Sequence, residues 1–195
     1  MEVFLFVFYL SWQLRDFKLL EATALSLSHP SAFFVKLCNQ NTSELRLNHY
    51  PGVLAKELLE GCNRISEHTD FGTLTLLFQD SVGGLEIERQ DCHGTFIPIK
   101  ADDPTEMIVN VGDCLQRWTN DALCSANHRV TLPEGQKDIH NAMIEGRYSV
   151  AYFGKPNRET LVSTMPEFVS RGAHPKYVEK LTAWEYNQVK LLKTY

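Results

Sequence analysis

Thr73-Leu74-Thr75-Leu76-Leu77-Phe78-Gln79-Asp80-Ser81-Val82-Gly83-Gly84-Leu85-Glu86-Ile87-Glu88 is the stretch on which the fold turns. Both halves are dense in leucine, threonine, isoleucine and phenylalanine, side chains that fit a pleated, half-buried surface. Between them Gly83-Gly84 supplies a turn, because glycine takes positive φ without a Cβ clash. The same grammar extends outward from Leu45 to Lys155, where short apolar runs are punctuated by Gly, Asp and Asn. It predicts eight strands, at about 45–50, 73–80, 85–90, 95–100, 106–111, 115–118, 127–132 and 147–154. Asp91 to Gly94 and Gly112-Asp113 read as further turns of the same kind.

Eight short antiparallel strands in 195 residues point to a mainly β fold, a two-sheet jelly roll that limits exposed strand edges. Residues 176–194 change period. Val178, Leu181, Trp184, Gln188 and Leu191 recur at three- and four-residue steps after Pro175, which predicts an amphipathic C-terminal helix lying on one sheet. Upstream, residues 1–44 keep no consistent period, although Gln13 to Leu27 suits a helix ended before Ser28-His29-Pro30. The chain thus divides into a short N-terminal region, 1–44, and a jelly-roll domain with its closing helix, 45–195.

Met1 to Trp12 is apolar except for Glu2 and Ser11. It lacks a cationic start, falls short of the roughly 20 residues a bilayer demands, and runs into Arg15, Asp16 and Lys18. A buried helix or strand is therefore expected in place of a signal or membrane anchor. Met1 to Leu10 carries neither strand alternation nor a helical stripe, so loose packing is expected there.

Nineteen Lys plus Arg against twenty-four Asp plus Glu give a net charge of −5 with the signs interspersed. No stretch could track a run of phosphates, which excludes nucleic acid as the expected partner. Cys38, Cys62, Cys92, Cys114 and Cys124 are odd in number and contain no C-x-x-C pair, which fits a reducing, cytoplasmic setting.

In Glu67-His68-Thr69-Asp70-Phe71 one residue separates imidazole from carboxylate, so an extended backbone projects both to one side. His128 opens Asn127-His128-Arg129-Val130-Thr131-Leu132 and shares a face with Val130 and Leu132, which points it inward. Two histidines and a carboxylate leave three positions of an octahedral ion free, a set suited to non-haem Fe(II) oxygenases and also usable by zinc. Taken alone, the triplet favours the bland alternative of a surface turn plus an unrelated histidine. Arg147-Tyr148-Ser149 adds weight. Arginine and serine share one strand face with Ala151 and Phe153, and an inward guanidinium calls for an anion, either a bound carboxylate or an acid of the chain itself.

Together His68-Thr69-Asp70-Phe71-Gly72-Thr73-Leu74-Thr75-Leu76-Leu77, Gly83-Gly84-Leu85-Glu86, Val109-Asn110-Val111-Gly112-Asp113, Gln116-Arg117-Trp118-Thr119-Asn120, His128-Arg129-Val130 and Arg147-Tyr148-Ser149 carry a resemblance. In this order, over about residues 45–195, they resemble the 2-oxoglutarate/Fe(II)-dependent dioxygenases of the isopenicillin N synthase-like group. The resemblance implies a double-stranded β-helix in which His68, Asp70 and His128 bind Fe(II). It implies that Arg147 and Ser149 hold the distal carboxylate of 2-oxoglutarate, and that Tyr50, in the Asn-x-Tyr element Asn48-His49-Tyr50, donates its hydroxyl to the same co-substrate. Dioxygen, ascorbate as a candidate reductant and a small, specialised metabolite as substrate follow from it too. No catalytic residue beyond the metal ligands is implied.

In that family's chemistry 2-oxoglutarate is oxidatively decarboxylated to succinate and carbon dioxide while the substrate is hydroxylated, desaturated or cyclised. Arg-x-Ser is shared with branches that use iron and oxygen without 2-oxoglutarate, so that alternative stays open, as does an inactive remnant. Family members usually carry a longer N-terminal region. Ala22 to Phe34 resembles part of it, and Met1 to Leu10 reads as a truncated or mis-joined start. Phe153 is a candidate substrate wall or core residue, Trp118 and Trp184 read as packing residues, and Glu67 as a partner of His68 or a solvated acid. His29, His49, His93, His140 and His174 lie in or beside turns or polar stretches and are not assigned to the metal.

Overall fold

Antiparallel pairing accounts for all of the β structure in the computed structural model, which describes residues 2–59, 63–101, 103, 105–134 and 142–194. Its strands are β1 (Glu44–Tyr50), β2 (Val53–Leu54), β3 (Ile65–His68), β4 (Leu74–Gln79), β5 (Leu85–Glu88), β6 (Phe96–Pro98), β7 (Ile108–Val111), β8 (His128–Val130), β9 (Met143–Ile144) and β10 (Arg147–Phe153). Its helices are α1 (Glu2–Ser26), α2 (Ala32–Val35), α3 (Ala55–Leu59), α4 (Asp113–Trp118) and α5 (Ala183–Thr194). One four-stranded sheet runs β1-β10-β4-β7, a second runs β3-β8-β5-β6, and β2 pairs with β9. This is the expected jelly roll. Gly83 and Gly84, at φ 84° and 89°, make the β4–β5 turn as glycine alone does cheaply.

Register sorts the first sheet into two faces. Tyr50 pairs with Arg147, Asn48 with Ser149 and Arg46 with Ala151 across β1–β10; Ser149 pairs with Gln79, Ala151 with Leu77 and Phe153 with Thr75 across β10–β4. These residues share the inner face, which carries the polar site. On the outer face Leu76 and Tyr152 pack with Trp12 of α1, beside Phe8, Phe78 and Val150. Trp12 meets the Phe78 ring edge-on at 5.2 Å. Because both faces of β4 are covered, Leu74 to Phe78 reads as a nearly continuous apolar run with no clean alternation.

Four expectations need correction. Glu2 to Leu10 is not a separate, aperiodic piece: it belongs to α1, which runs unbroken to Ser26, and Phe8 and Tyr9 pack beside Trp12, Leu76 and Tyr152. The stripe that seats α1 is Trp12, Asp16, Leu20 and Ala24, buried at four-residue steps. Exposed Val7, Leu14 and Leu25 on the other side disguise that period. None of the described helices is long and apolar enough to cross a membrane.

Residues 115–118 form the end of α4, not a strand. Leu115 and Trp118, three apart, are both buried, and Asp113 and Arg117 sit at the helix ends that favour their charges. Gly112 is accordingly extended at φ −104°; a Cβ there would meet the Gly72 carbonyl oxygen at 2.5 Å, so glycine serves close approach and not a turn. The C-terminal helix starts at Ala183, not Pro175, because Thr182 and Glu185 bond reciprocally around its first turn. Its seated face is Ala183, Tyr186 and Lys190, whereas Val178, Trp184 and Leu191 of the expected stripe are exposed. Finally, β2, β3 and β9 are strands that the sequence pattern does not predict. Cys62 and His140 fall outside the described residues; Cys38, Cys92, Cys114 and Cys124 are free thiols.

Candidate metal centre and anion pocket

His68 ends β3 and His128 begins β8, and the two are paired across the ladder after an irregularity between Ile65 and His68. That irregularity turns consecutive side chains and brings both rings to one side, with centroids 4.4 Å apart. Asp70 follows two residues after His68. Its Oδ1 lies 3.8 Å from His68 Nε2 and 3.9 Å from His128 Nε2, and ligand atoms of all three residues lie within 4.8 Å of one another.

The other atoms of the triad are already engaged. His68 Nδ1 donates to the Ser66 carbonyl at 2.8 Å and His128 Nδ1 to the Ala126 carbonyl at 2.9 Å, which leaves each Nε2 as the acceptor that a metal needs. Asp70 Oδ2 accepts from Thr75 Oγ1 at 2.7 Å and from Asn110 Nδ2 at 2.9 Å, so Oδ1 remains for an ion. Burial, reinforced by the neighbouring His128, holds His68 below the usual imidazole range and keeps it neutral for coordination.

The Asp70 segment is clamped from behind. The backbone N–H of Asp113, at the start of α4, donates to the Asp70 carbonyl at 2.8 Å, and that of Cys114 to the Gly72 carbonyl at 3.0 Å. From α5, Lys190 Nζ donates to both oxygens of Thr69 at 2.6 Å and to the Asp113 carboxylate, which also accepts from Tyr186 Oη at 3.0 Å.

Arg147 is 1% exposed. Its Nη2 donates to Gln79 Oε1 at 2.7 Å, and Gln79 Nε2 donates to the Ile99 carbonyl at 3.2 Å, so both ends of the amide are used. Arg147 Nε and Nη1 are buried without a partner. Among the described residues the acid that favours its charge is Asp80, whose oxygens are engaged by the Tyr148 and Val82 N–H groups and not by Arg147. Its guanidinium lies 5.0 Å from the centre of the Tyr50 ring, and Ser149 Oγ accepts from Asn48 Nδ2 at 3.3 Å. Orphaned buried N–H groups cost free energy, and a bound carboxylate would satisfy them.

The pattern of the 2OG-Fe(II) oxygenase superfamily matches residues 41–156, which contain all of these groups except Tyr186 and Lys190 of α5. The chain belongs to the 2OG-Fe(II) oxygenase superfamily. Among its relatives are the proline hydroxylase buaE of Petromyces alliaceus, 56% identical over 96% of this chain and 58% of that one, and the 2-oxoglutarate-dependent dioxygenase gloF of Glarea lozoyensis, 55% identical over 91% and 54%. A full-length Neurospora crassa protein, solved in complex with alpha-KG, superposes with a TM-score of 0.83 at 34% identity, covering 96% of this chain and 55% of that one. The chain therefore spans about half the length of the relatives it matches.

For a 2OG-Fe(II) oxygenase superfamily member the donor set fits: two neutral imidazoles and one carboxylate suit Fe(II), and the bare Arg147 N–H groups suit a carboxylate. The fold brings His68, Asp70 and His128 together, the histidines from the second sheet, and sets Arg147, Ser149 and Tyr50 on the inner face of the first. Phe153 is half-buried on that face, with the Arg46 guanidinium 5.1 Å above its ring. Trp118 packs on Phe34 and also donates from Nε1 to the Leu161 carbonyl at 2.8 Å, a polar partner the sequence did not reveal. Trp184 is exposed beneath Arg158, and Glu67 is exposed. His49 stacks on Tyr148 on the outer face.

Four supporting residues escaped the sequence: Thr75, Gln79, Asn110 and Lys190. Two left a signal, since Asn110 interrupts Ile108-Val109-Val111 and Gln79 ends an apolar run, and an amide amid such neighbours needs a partner. Lys190 left none, because its target is 121 residues away in sequence.

Proposed function

We propose that this chain binds Fe(II) through His68, Asp70 and His128, holds 2-oxoglutarate against Arg147, and couples its oxidative decarboxylation to oxidation of a small, specialised metabolite. One observation carries the reading: two incomplete sites are held from one face of β4, although the histidines come from the other sheet. Thr75, which holds Asp70, and Gln79, which holds Arg147, stand on one face of β4 four residues apart, about 13 Å at roughly 3.3 Å per residue. A small dicarboxylate met from one end by the metal and from the other by the arginine side chain would bridge that span.

Bound iron would supply the redox chemistry and the activation of dioxygen. The chain's own part is placement. Arg147 would grip the distal carboxylate through its unpaired N–H groups, with the Ser149 hydroxyl, oriented by Asn48, and the Tyr50 hydroxyl as further donors. Thr75 and Asn110 keep Asp70 turned toward the ion. Phe153, one strand over from Thr75, offers an apolar wall to a substrate there. A substrate of metabolite size is supported by the relative named proline hydroxylase. The four cysteines among the described residues are free thiols, which supports a reducing, cytoplasmic setting.

The test is anaerobic addition of 2-oxoglutarate to the Fe(II)-loaded chain, followed by air. A weak visible charge-transfer band and then succinate formation are expected, and Arg147→Gln should weaken co-substrate binding roughly a hundredfold, the worth of a charge-assisted bidentate pair. Stoichiometric iron with no such band would reject 2-oxoglutarate in favour of an iron oxidase that works without it. No iron binding at all would leave an inactive remnant.

A further inference from the structure

A second guanidinium lies beside the first. Arg64 stands immediately before β3, and its Nη2 donates to the Pro51 carbonyl at 3.3 Å and to the Glu145 carbonyl at 2.7 Å. Those two anchors fix where it goes: Pro51 follows Tyr50, and Glu145 precedes Arg147 by two residues. Arg64 is thus tied to the backbone on both sides of the Tyr50–Arg147 pair. Its Nε and Nη1, like those of Arg147, are buried and have no partner.

Charge adds a second imbalance. Among the described residues Asp80 is the one carboxylate that favours the charge of both arginines, alongside the Tyr50 hydroxyl. Its oxygens are committed elsewhere, Oδ2 to the Tyr148 N–H at 2.5 Å and Oδ1 to the Val82 N–H at 3.1 Å. Burial and the nearby Arg147 cation both disfavour the charge on Arg64. Among the described residues two guanidiniums face one committed acid, which leaves an excess of positive charge, and Nε and Nη1 of each are buried without a hydrogen-bond partner. A structural strap needs only the Nη2 contacts and explains neither the surplus charge nor the unpaired atoms. One added carboxylate would balance both.

We propose that Arg64 is a second carboxylate-binding residue of the co-substrate pocket, so that the distal carboxylate of 2-oxoglutarate is held between Arg64 and Arg147. The inference rests on the reading that this chain takes 2-oxoglutarate. It makes Arg64 a determinant of selectivity for keto acids that carry a distal carboxylate.

Anaerobic titration of the Fe(II)-loaded chain tests it, using the charge-transfer band with 2-oxoglutarate and with 2-oxobutyrate, which keeps the chelating end but lacks the distal carboxylate. Arg64→Gln should weaken 2-oxoglutarate roughly ten- to hundredfold, leave 2-oxobutyrate and the iron stoichiometry unchanged, and be partly restored in Arg64→Lys. Should Arg64→Gln not fold, Arg64→Lys alone decides: loss of the planar fork should still lower the preference for 2-oxoglutarate several-fold. Unchanged selectivity in the folded variants, with only the melting temperature lowered, overturns the proposal and leaves Arg64 a strap. If Arg147→Gln loses 2-oxoglutarate while Arg64→Gln does not, this inference fails and the reading of the pocket stands. A parent chain that binds iron but no 2-oxoglutarate overturns both.

Discussion

Thr75 and Asn110 occupy one oxygen of Asp70 and so decide which oxygen can face an ion. His68→Ala, Asp70→Ala and His128→Ala are each expected to abolish stoichiometric anaerobic Fe(II) binding, with His174→Ala as the control that keeps it. Full occupancy in any of the three folded variants would remove that residue from the ligand set. Thr75→Val and Asn110→Leu should instead retain iron with roughly ten- to hundredfold weaker affinity, because they orient a ligand without being one. Competition with a chelator of known affinity measures this. Arg147 and the His68–Asp70 pair could be picked out from sequence because their chemistry is conspicuous and strand period sets their faces, while His128 was joined to them by the run of motifs that carries the family resemblance. Thr75 could not be picked out. A threonine in a strand has many ordinary explanations, and only register places it on Asp70.

Helix α1 carries a residue that burial makes costly. Asp16 is fully buried, neither carboxyl oxygen has a partner, and desolvation raises its pKa from the ordinary 3.8 to about 7. Between those values the folded chain holds a proton that the unfolded chain has released. Stability therefore falls as pH rises from about 4 to about 7, and stays lowest above that. The magnitude is on the order of several kcal/mol at one unit per 1.4 kcal/mol. Asp16→Asn should raise the melting temperature at pH 8 and change it little near pH 4; a gain independent of pH would mean that Asp16 is not protonated in the fold. Trp12→Ala, in the same stripe, should cost about 3–5 kcal/mol by chemical denaturation. At the other end of the chain, α5 acts on the metal segment through Lys190. Lys190→Met is expected to speed iron loss to a chelator several-fold by freeing Thr69 beside Asp70. Identical release kinetics would show that α4 alone holds the segment.

The molecule as a whole leaves an apolar line uncovered. Val7, Leu14 and Leu25 fall on one side of α1 and are 58%, 64% and 61% exposed, and Leu47 and Tyr148 are exposed on the outer face of β1 and β10. Contiguous exposed apolar surface promotes association. We expect the chain expressed as it stands to bind a hydrophobic dye and to self-associate with increasing concentration, and Leu14→Lys with Leu25→Lys to suppress both. A monodisperse, dye-silent monomer by light scattering would show that the line is too interrupted by charge, at Lys18 for example, to act as a patch.

Local pattern was enough for most of the strand-rich middle, the two-sheet layout and the inward arginine, because each is written in periods of two residues or in side chains with few uses, whereas the His68, Asp70 and His128 set needed the longer run of motifs that carries the family resemblance. It concealed what spans long separations. The period of α1 was hidden because apolar residues lie on both its faces and a carboxylate sits in its buried stripe, and only packing on Leu76 and Tyr152 shows which face is inside. The strand expected at 115–118 is a helix because Gly112 must lie against Gly72, a contact between segments forty residues apart that no local propensity encodes. The choice of Asp70 oxygen, the hold of Lys190 on Thr69 and the tie of Arg64 to the Glu145 carbonyl were likewise set by long-range packing. A hydrogen bond depends on where two atoms are, and a sequence states only which atoms exist.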